Sequence, residues 1–238
     1  MNLRTAFSFL FSCWIGLSVC DAQLPPDLTP MYARRASMDK RVVAPDGKTA
    51  VSLRSLPPEP KTDFPLSVTV DTGGKKLRSK IFFGLNTEVL WSSDSKAFAV
   101  SGSSEGANGQ YWTEVFLLQP DRLVAVPLAQ TIRTAFGHPV KCGWPEYPNV
   151  AAVTWIEPSK KILVAAEIIH HSNCDSFGTF KAYEVDLSTK SVTKTYNQLE
   201  AKRLFGKELG TELADSRDNC IRHPKRCYVA ANHPELTH

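Results

Sequence analysis

The sequence holds few of the patterns that announce cofactor chemistry. No Cys-x-x-Cys pair occurs among its 6 cysteines, which removes thioredoxin-like redox motifs and zinc knuckles. No glycine-rich phosphate loop is present, which removes the P-loop nucleotide enzymes. Paired carboxylates at a spacing suited to acid–base work do not stand out either. Charge of one sign is in short supply: 28 Lys and Arg against 24 Asp and Glu leave a net +4, spread along the chain. Nucleic-acid binding needs a basic cluster rather than a dispersed surplus, so no nucleic-acid partner is expected, and no cofactor is implied. What is there is an ordinary globular composition, 42% apolar and 22% charged over 238 residues, enough for one domain or two small ones.

Residues 1–22 read as an export signal. Arg4 supplies a short basic start, Ala6 to Val19 an apolar run, and Cys20-Asp21-Ala22 small residues ahead of a cleavage before Gln23. Cleavage would leave no transmembrane span. The same residues admit two other outcomes. Leu17-Ser18-Val19-Cys20 resembles a lipobox, with Val19 bulky where a small residue belongs. An uncleaved run would leave an anchor, although it falls short of the about 20 apolar residues of a span. The expected address is secreted or periplasmic, with a lipid or membrane anchor as the alternative, and the intact mass of the exported chain separates them.

Cys13 and Cys20 fall inside the signal, leaving Cys142, Cys174, Cys220 and Cys227. Four cysteines in an oxidising compartment suggest two disulfides, with three possible connectivities. We expect Cys220–Cys227, closing a short loop, and Cys142–Cys174. A zinc site using Cys220, His223 and Cys227 is the competing reading of the tail, and it lacks a second matched pair.

After an extended leader over 23–38, with a helical turn expected in Met31 to Lys40, residues 39–214 carry a repeat. Its core is strand, polar turn, strand. It occurs as Val42–Leu53 around Pro45-Asp46-Gly47-Lys48, as Val89–Val100 around Ser92-Ser93-Asp94-Ser95-Lys96, and as Val153–Val164 around Glu157-Pro158-Ser159-Lys160. Each continues into two more strands: Leu66–Val70 and Lys76–Phe82, then Tyr111–Leu118 and Leu123–Val126, then Phe180–Val185 and Ser191–Tyr196. Trp91 and Trp155 stand 64 residues apart, as do Lys96 and Lys160. Helices are expected after the second and third units. The first carries Leu128, Ile132, Ala135 and Phe136, with Pro127 at its start and Gly137 at its end. The second is longer and carries Ala201, Phe205, Leu209 and Leu213, with Gly206 and Gly210 either allowing close packing or weakening it. Residues 215–238 form the cystine-containing tail.

An aromatic residue, a Ser/Pro-Asp-Gly/Ser-Lys turn and an apolar strand, repeated as four-stranded units, resemble the blades of TolB-type and WD40-like β-propellers. The third copy departs from the pattern, its acidic residue preceding the proline. The resemblance implies a mainly β fold of three four-stranded antiparallel blade-like sheets with two or three accessory helices. Three blades are fewer than closed propellers use, so an open stack is expected, with the helices covering exposed edges.

Candidate chemistry lies in what breaks the repeat. Gly102-Ser103-Ser104-Glu105-Gly106 fits the nucleophile elbow of α/β-hydrolases, but it leads into a strand rather than a helix, and a blade loop explains it. His170 and His171, beside Cys174 and Asp175, are the densest group of ligand-type side chains. Adjacent strand positions point to opposite faces, however, so no metal site is expected. Arg222, His223, Lys225 and Arg226 form a compact basic patch suited to an anionic partner. Trp91 and Trp155, equivalent in the repeat, read as core. Trp144 and Tyr147, in the loop Cys142–Pro148, lie outside the repeat and are the better surface pair. The expected partner-binding residues are therefore Trp144, Tyr147, His170, His171, Arg222, Lys225 and Arg226, with none assigned to catalysis. The leading function is an exported, non-enzymatic binding protein with a protein or cell-envelope partner. The alternative is a secreted hydrolase with a divergent site near Ser104 or His170.

Overall fold

A short polar turn between two apolar strands dictates most of this architecture, and it is built the same way in each unit. In the computed structural model, which describes residues 30–57, 64–103, 110–137, 140–142, 144–168 and 178–217 (backbone alone within 140–146), Gly47, Ser95 and Ser159 all adopt positive φ, at 70°, 59° and 52°. They occupy the same place in the three turns. In the first turn Asp46 Oδ1 accepts the backbone N–H groups of Lys48 and Thr49, both at 2.8 Å. In the second, Asp94 Oδ1 accepts from Lys96 N at 3.1 Å.

The turns join strands into three antiparallel meanders. The first sheet is β1 (Arg41–Val43), β2 (Ala50–Ser55), β3 (Leu66–Asp71) and β4 (Lys76–Ile81), in that spatial order. The second is β5 (Leu85–Trp91), β6 (Ala97–Ser103), β7 (Tyr111–Leu118) and β8 (Leu123–Pro127). Helix α1 (Ala129–Phe136) follows, closed by Gly137 in the left-handed region at φ 90°. A two-stranded hairpin of β9 (Val140–Cys142) and β10 (Trp144–Glu146) comes next, where the sequence led us to expect a loop. The third sheet is β11 (Asn149–Glu157), β12 (Lys161–Glu167), β13 (Phe180–Asp186) and β14 (Ser191–Tyr196). Three four-stranded sheets with accessory helices are the propeller-like arrangement that the repeat implied. Among the described residues no strand pairing closes the sheets into a ring.

The sheets stack face to face. Val51, Val68, Val70 and Ile81 of the first meet Phe98, Val100 and Phe116 of the second. Ala99 and Val115, on opposite faces from these, meet Val150, Ile162, Val164 and Tyr183 of the third. The next residues along β12, Leu163 and Ala165, face the far side and lie under Ala201, Leu209, Leu213 and Tyr32. Strands buried on both faces need continuous apolar sequence, which is why Ala97–Ser103 is buried throughout, while β3 alternates. Leu128, Ala129 and Ile132 place α1 in the core shared by the second and third sheets. The helices thus cover faces, and both α1 and α2 also touch β14, the edge strand of the third sheet.

Three local expectations are corrected. Met31 to Lys40 is not helical but a strap with one turn at Arg34-Arg35, where Ala36 N donates to Ala33 O at 2.9 Å, and it is bridged antiparallel to Leu209 through Ala33 and to Val89 through Ser37. The long helix after β14 is broken into α2 (Gln198–Phe205) and α3 (Thr211–Ala214), ahead of a 3-10 turn at Asp215–Arg217. Pairing with the strap captures the backbone between them: Gly210 N donates to Tyr32 O at 2.8 Å, and Arg34 N to Glu208 O at 2.9 Å. A Cβ on Gly210 would sit 2.4 Å from the carbonyl of Met31, so this glycine serves close approach. Pro127 ends β8 rather than starting α1, whose N-cap is Leu128.

Candidate functional site

The first strand of each meander, β1, β5 and β11, leaves its residues at one edge of the stack, and these edges frame a cleft of about 440 Å³. Val42, Val43 and Pro45 come from the first unit, Val89, Leu90, Trp91 and Ser93 from the second, and Thr154, Trp155 and Pro158 from the third. The strap adds Arg35 and Ser37, held there because Ser37 and Val89 exchange both backbone hydrogen bonds, at 2.9 and 2.8 Å.

The two tryptophans on its walls are equivalent in position and in bonding. Trp91 Nε1 donates to Val42 O at 3.3 Å, one unit back, and Trp155 Nε1 donates to Leu90 O at 3.2 Å, again one unit back. Each indole therefore ties a sheet to its predecessor. Both are half-buried and pack against the core, as the repeat suggested, and both also line the cleft. The turns are linked as well, between the same neighbouring units. Asp46 N donates to Ser95 Oγ at 2.9 Å; Ser159 N donates to Ser92 Oγ at 2.9 Å, and Ser159 Oγ to Asp94 Oδ1. Serine at positive φ is strained, and here the hydroxyl bond to the neighbouring turn offsets that strain. Burial would raise the Asp94 carboxyl, but the hydroxyls of Ser159 and Ser92 and the N–H of Lys96 hold it below the ordinary range.

Behind the cleft, buried acids fasten the strap. Glu88 accepts the backbone N–H groups of Met31, Tyr32 and Ala33, and burial still pushes its carboxyl up to about 7. The Tyr32 hydroxyl donates to Glu167 Oε2 at 2.9 Å and accepts from Asn149 Nδ2 at 2.8 Å. Burial, and then the nearby charge of Glu212, raise Glu167 well above the usual carboxylate range. Glu88 and Glu167 are both buried, each bonded to the strap. The signal for them was a lone acid in an apolar strand: Glu167 ends the run Ile162–Ala166, and Glu88 precedes Val89-Leu90.

Of the residues singled out from the sequence, Tyr147 is 40% exposed, and its carbonyl accepts from Gln110 Nε2 at 3.1 Å. It meets Arg133 of α1, whose guanidinium carbon lies 5.2 Å from the Tyr147 ring and 3.8 Å from the Trp112 ring. Burial lowers this arginine to about 10. Trp144 stands on β10, opposite Cys142 on β9. Ser104, His170, His171, Cys174, Cys220, Arg222, His223, Lys225, Arg226 and Cys227 lie outside the described residues. The structure therefore joins Tyr147 to Trp112 and Arg133, which the sequence did not link. Among the described residues there is no group of three His, Cys, Asp or Glu able to hold a metal, and no helix long and apolar enough to cross a membrane.

No protein-family model matches the chain, and no curated protein sequence matches it. Among solved structures, it is similar to the β-propeller domain of the Trilobed protease from Pyrococcus furiosus, at 12% identity and a TM-score of 0.40, over 70% of this chain and 44% of that one. It is also similar to the acylaminoacyl peptidase of Pyrococcus horikoshii, at 10% identity and a TM-score of 0.36, over 63% of this chain and 23% of that one. The chain spans less than half the length of either. The propeller-like description rests on its own three meanders and the bonds between them.

Proposed function

We propose that this chain is an exported binding protein whose partner, a protein or another cell-envelope component, seats in the cleft at the inner edge of the three sheets. The observation that carries this reading is the lining of the cleft. Two indoles, aliphatic and proline carbons, the hydroxyls of Ser37, Ser93 and Thr154, and the guanidinium of Arg35 are recognition chemistry. Arg35 is held by Glu208, its Nε 3.0 Å from the carboxylate, and its side chain is 74% exposed. Among the described residues the lining contains no carboxylate or imidazole to act as a base, and Glu88 and Glu167 behind it bond to the strap. The repeated Trp bonds make the walls rigid, which limits the ordering that binding must supply.

The test uses the mature protein in two assays. Short peptides selected by display on the wild type are titrated against V43D; Val43 lines the cleft and is 48% exposed, so the change leaves the core intact. Loss of binding by at least about tenfold in V43D supports the reading. A panel of ester, peptide and glycoside substrates is run in parallel. Robust turnover abolished by S104A or H170A would replace the binding reading with the hydrolase one.

A further inference from the structure

The third sheet is covered by α2, α3 and the strap, but the far face of the first sheet has no covering element among the described residues, and its charge is one-sided. Strand pairing puts Arg41, Ser52, Thr69 and Arg78 in one row across that face. The next row is Arg54, Ser67 and Lys80, and the row on the other side ends Asp71, Lys76. Among the described residues five cations thus share the face with a single carboxylate, and that carboxylate is engaged by the turn: Asp71 Oδ1 accepts from Gly73 N at 3.0 Å and Gly74 N at 3.3 Å. Arg41, Arg54, Lys76 and Arg78 are exposed, and they join no ion pair among the described residues.

A terminal sheet must be polar to keep a stack soluble, but that requirement is met equally by mixed charge. The sign bias therefore calls for a further reason. Serine and threonine separate the cations, so Arg41, Arg54, Lys76 and Arg78 stand exposed over a hydroxyl-bearing sheet face. At one corner Phe82, 56% exposed, continues β4 beyond Lys80, whose ammonium lies 5.2 Å from the Phe82 ring. Bases on a plane with an aromatic at its margin match the chemistry of a lipid interface, where cations meet anionic headgroups and the ring sits at headgroup depth. A soluble polyanion is held better by a groove or a stacking platform, and this face offers neither.

We infer that the outer face of the first sheet docks on an anionic lipid bilayer. The inference does not rest on the cleft, although Val43, which begins the row ending Asp71 and Lys76, borders both surfaces.

Co-sedimentation with vesicles of phosphatidylcholine, with and without phosphatidylglycerol, tests it. The wild type binds the anionic vesicles and is released as salt rises from about 50 mM to about 500 mM. R54E/R78E lowers partitioning at least about tenfold, while R203E/K207E, an equal charge change on exposed residues at the helical end of the stack, stays within about twofold. Circular dichroism confirms folding, and R54Q/R78Q gives the same comparison if the reversal does not fold. Three results overturn the inference: no binding of the wild type to phosphatidylglycerol vesicles, equal losses in both variant pairs, or retention on heparin without vesicle binding.

Discussion

Replacing Glu88 by glutamine should make the protein more stable above neutral pH, although it removes an acceptor that three backbone N–H groups use. Burial raises the Glu88 carboxyl from 4.5 to about 7. Between those values the folded chain keeps a proton that the unfolded chain gives up. Stability is therefore fully present below about 4.5, falls as pH rises, and levels off above about 7. At about 1.4 kcal/mol per pH unit the loss approaches about 3 kcal/mol. Glutamine mimics the protonated acid and cannot ionise, so E88Q escapes that loss. Its amide opposes one of the N–H groups of Met31, Tyr32 and Ala33, which costs about 1 kcal/mol at every pH. At pH 5 E88Q should lie slightly below the wild type, and at pH 8 about 2 kcal/mol above it. Urea unfolding across pH 4–9 measures the difference, and Glu167, itself raised by burial, contributes to both proteins and cancels. A constant deficit of E88Q at every pH would refute the reasoning. Exchange of the Met31, Tyr32 and Ala33 amides should quicken in the wild type over the same pH window.

Other consequences are simpler to read. G210A puts a methyl group 2.4 Å from the Met31 carbonyl, and neither backbone can yield without breaking the strap pairing, so we expect a loss of about 2 kcal/mol or more in denaturant unfolding. W91F and W155F each remove an indole N–H that donates to the preceding unit; each should cost about 1 kcal/mol, and a marked inequality would argue against the repeat equivalence. S95A should be less stable than S95G by about 1 kcal/mol, because both lose the bond from Asp46 N but alanine keeps the strain of φ 59°. Thermal denaturation ranks the two.

The strands were legible because two signals coincide in them. Asp-Gly and Ser-Asp-Ser turns punctuate runs of β-branched and aromatic residues, and the spacing of Trp91 and Trp155 exposed the repeat. The helix after β14 shows the limit of periodicity. Ala201, Leu209 and Leu213 are buried in one cluster, as their spacing required, yet the backbone between them left the helix to pair with the strap. Spacing reports which side chains are buried; it does not report a competing backbone partner from residue 33. The candidate site shows the same limit. Trp144 and Tyr147 drew attention because they interrupt the repeat, while the cleft is lined mostly by residues that belong to it.

Sequence alone determined the local part of this protein: three meanders, their turns, and the end of α1 at Gly137. These follow from preferences and periods acting over a few residues. Only the tertiary structure decided what lies between units. It turned Ser95 and Ser159 from turn residues into links between turns, and placed Trp91 and Trp155 at once in the core and on a cleft wall. It brought Glu88 to a strap more than fifty residues away in sequence. It also gathered Arg41, Arg54, Lys76, Arg78 and Lys80 onto one face. A charge surplus that is thin when counted along the chain becomes dense there, because strand pairing sets residues far apart in sequence about 5 Å from one another.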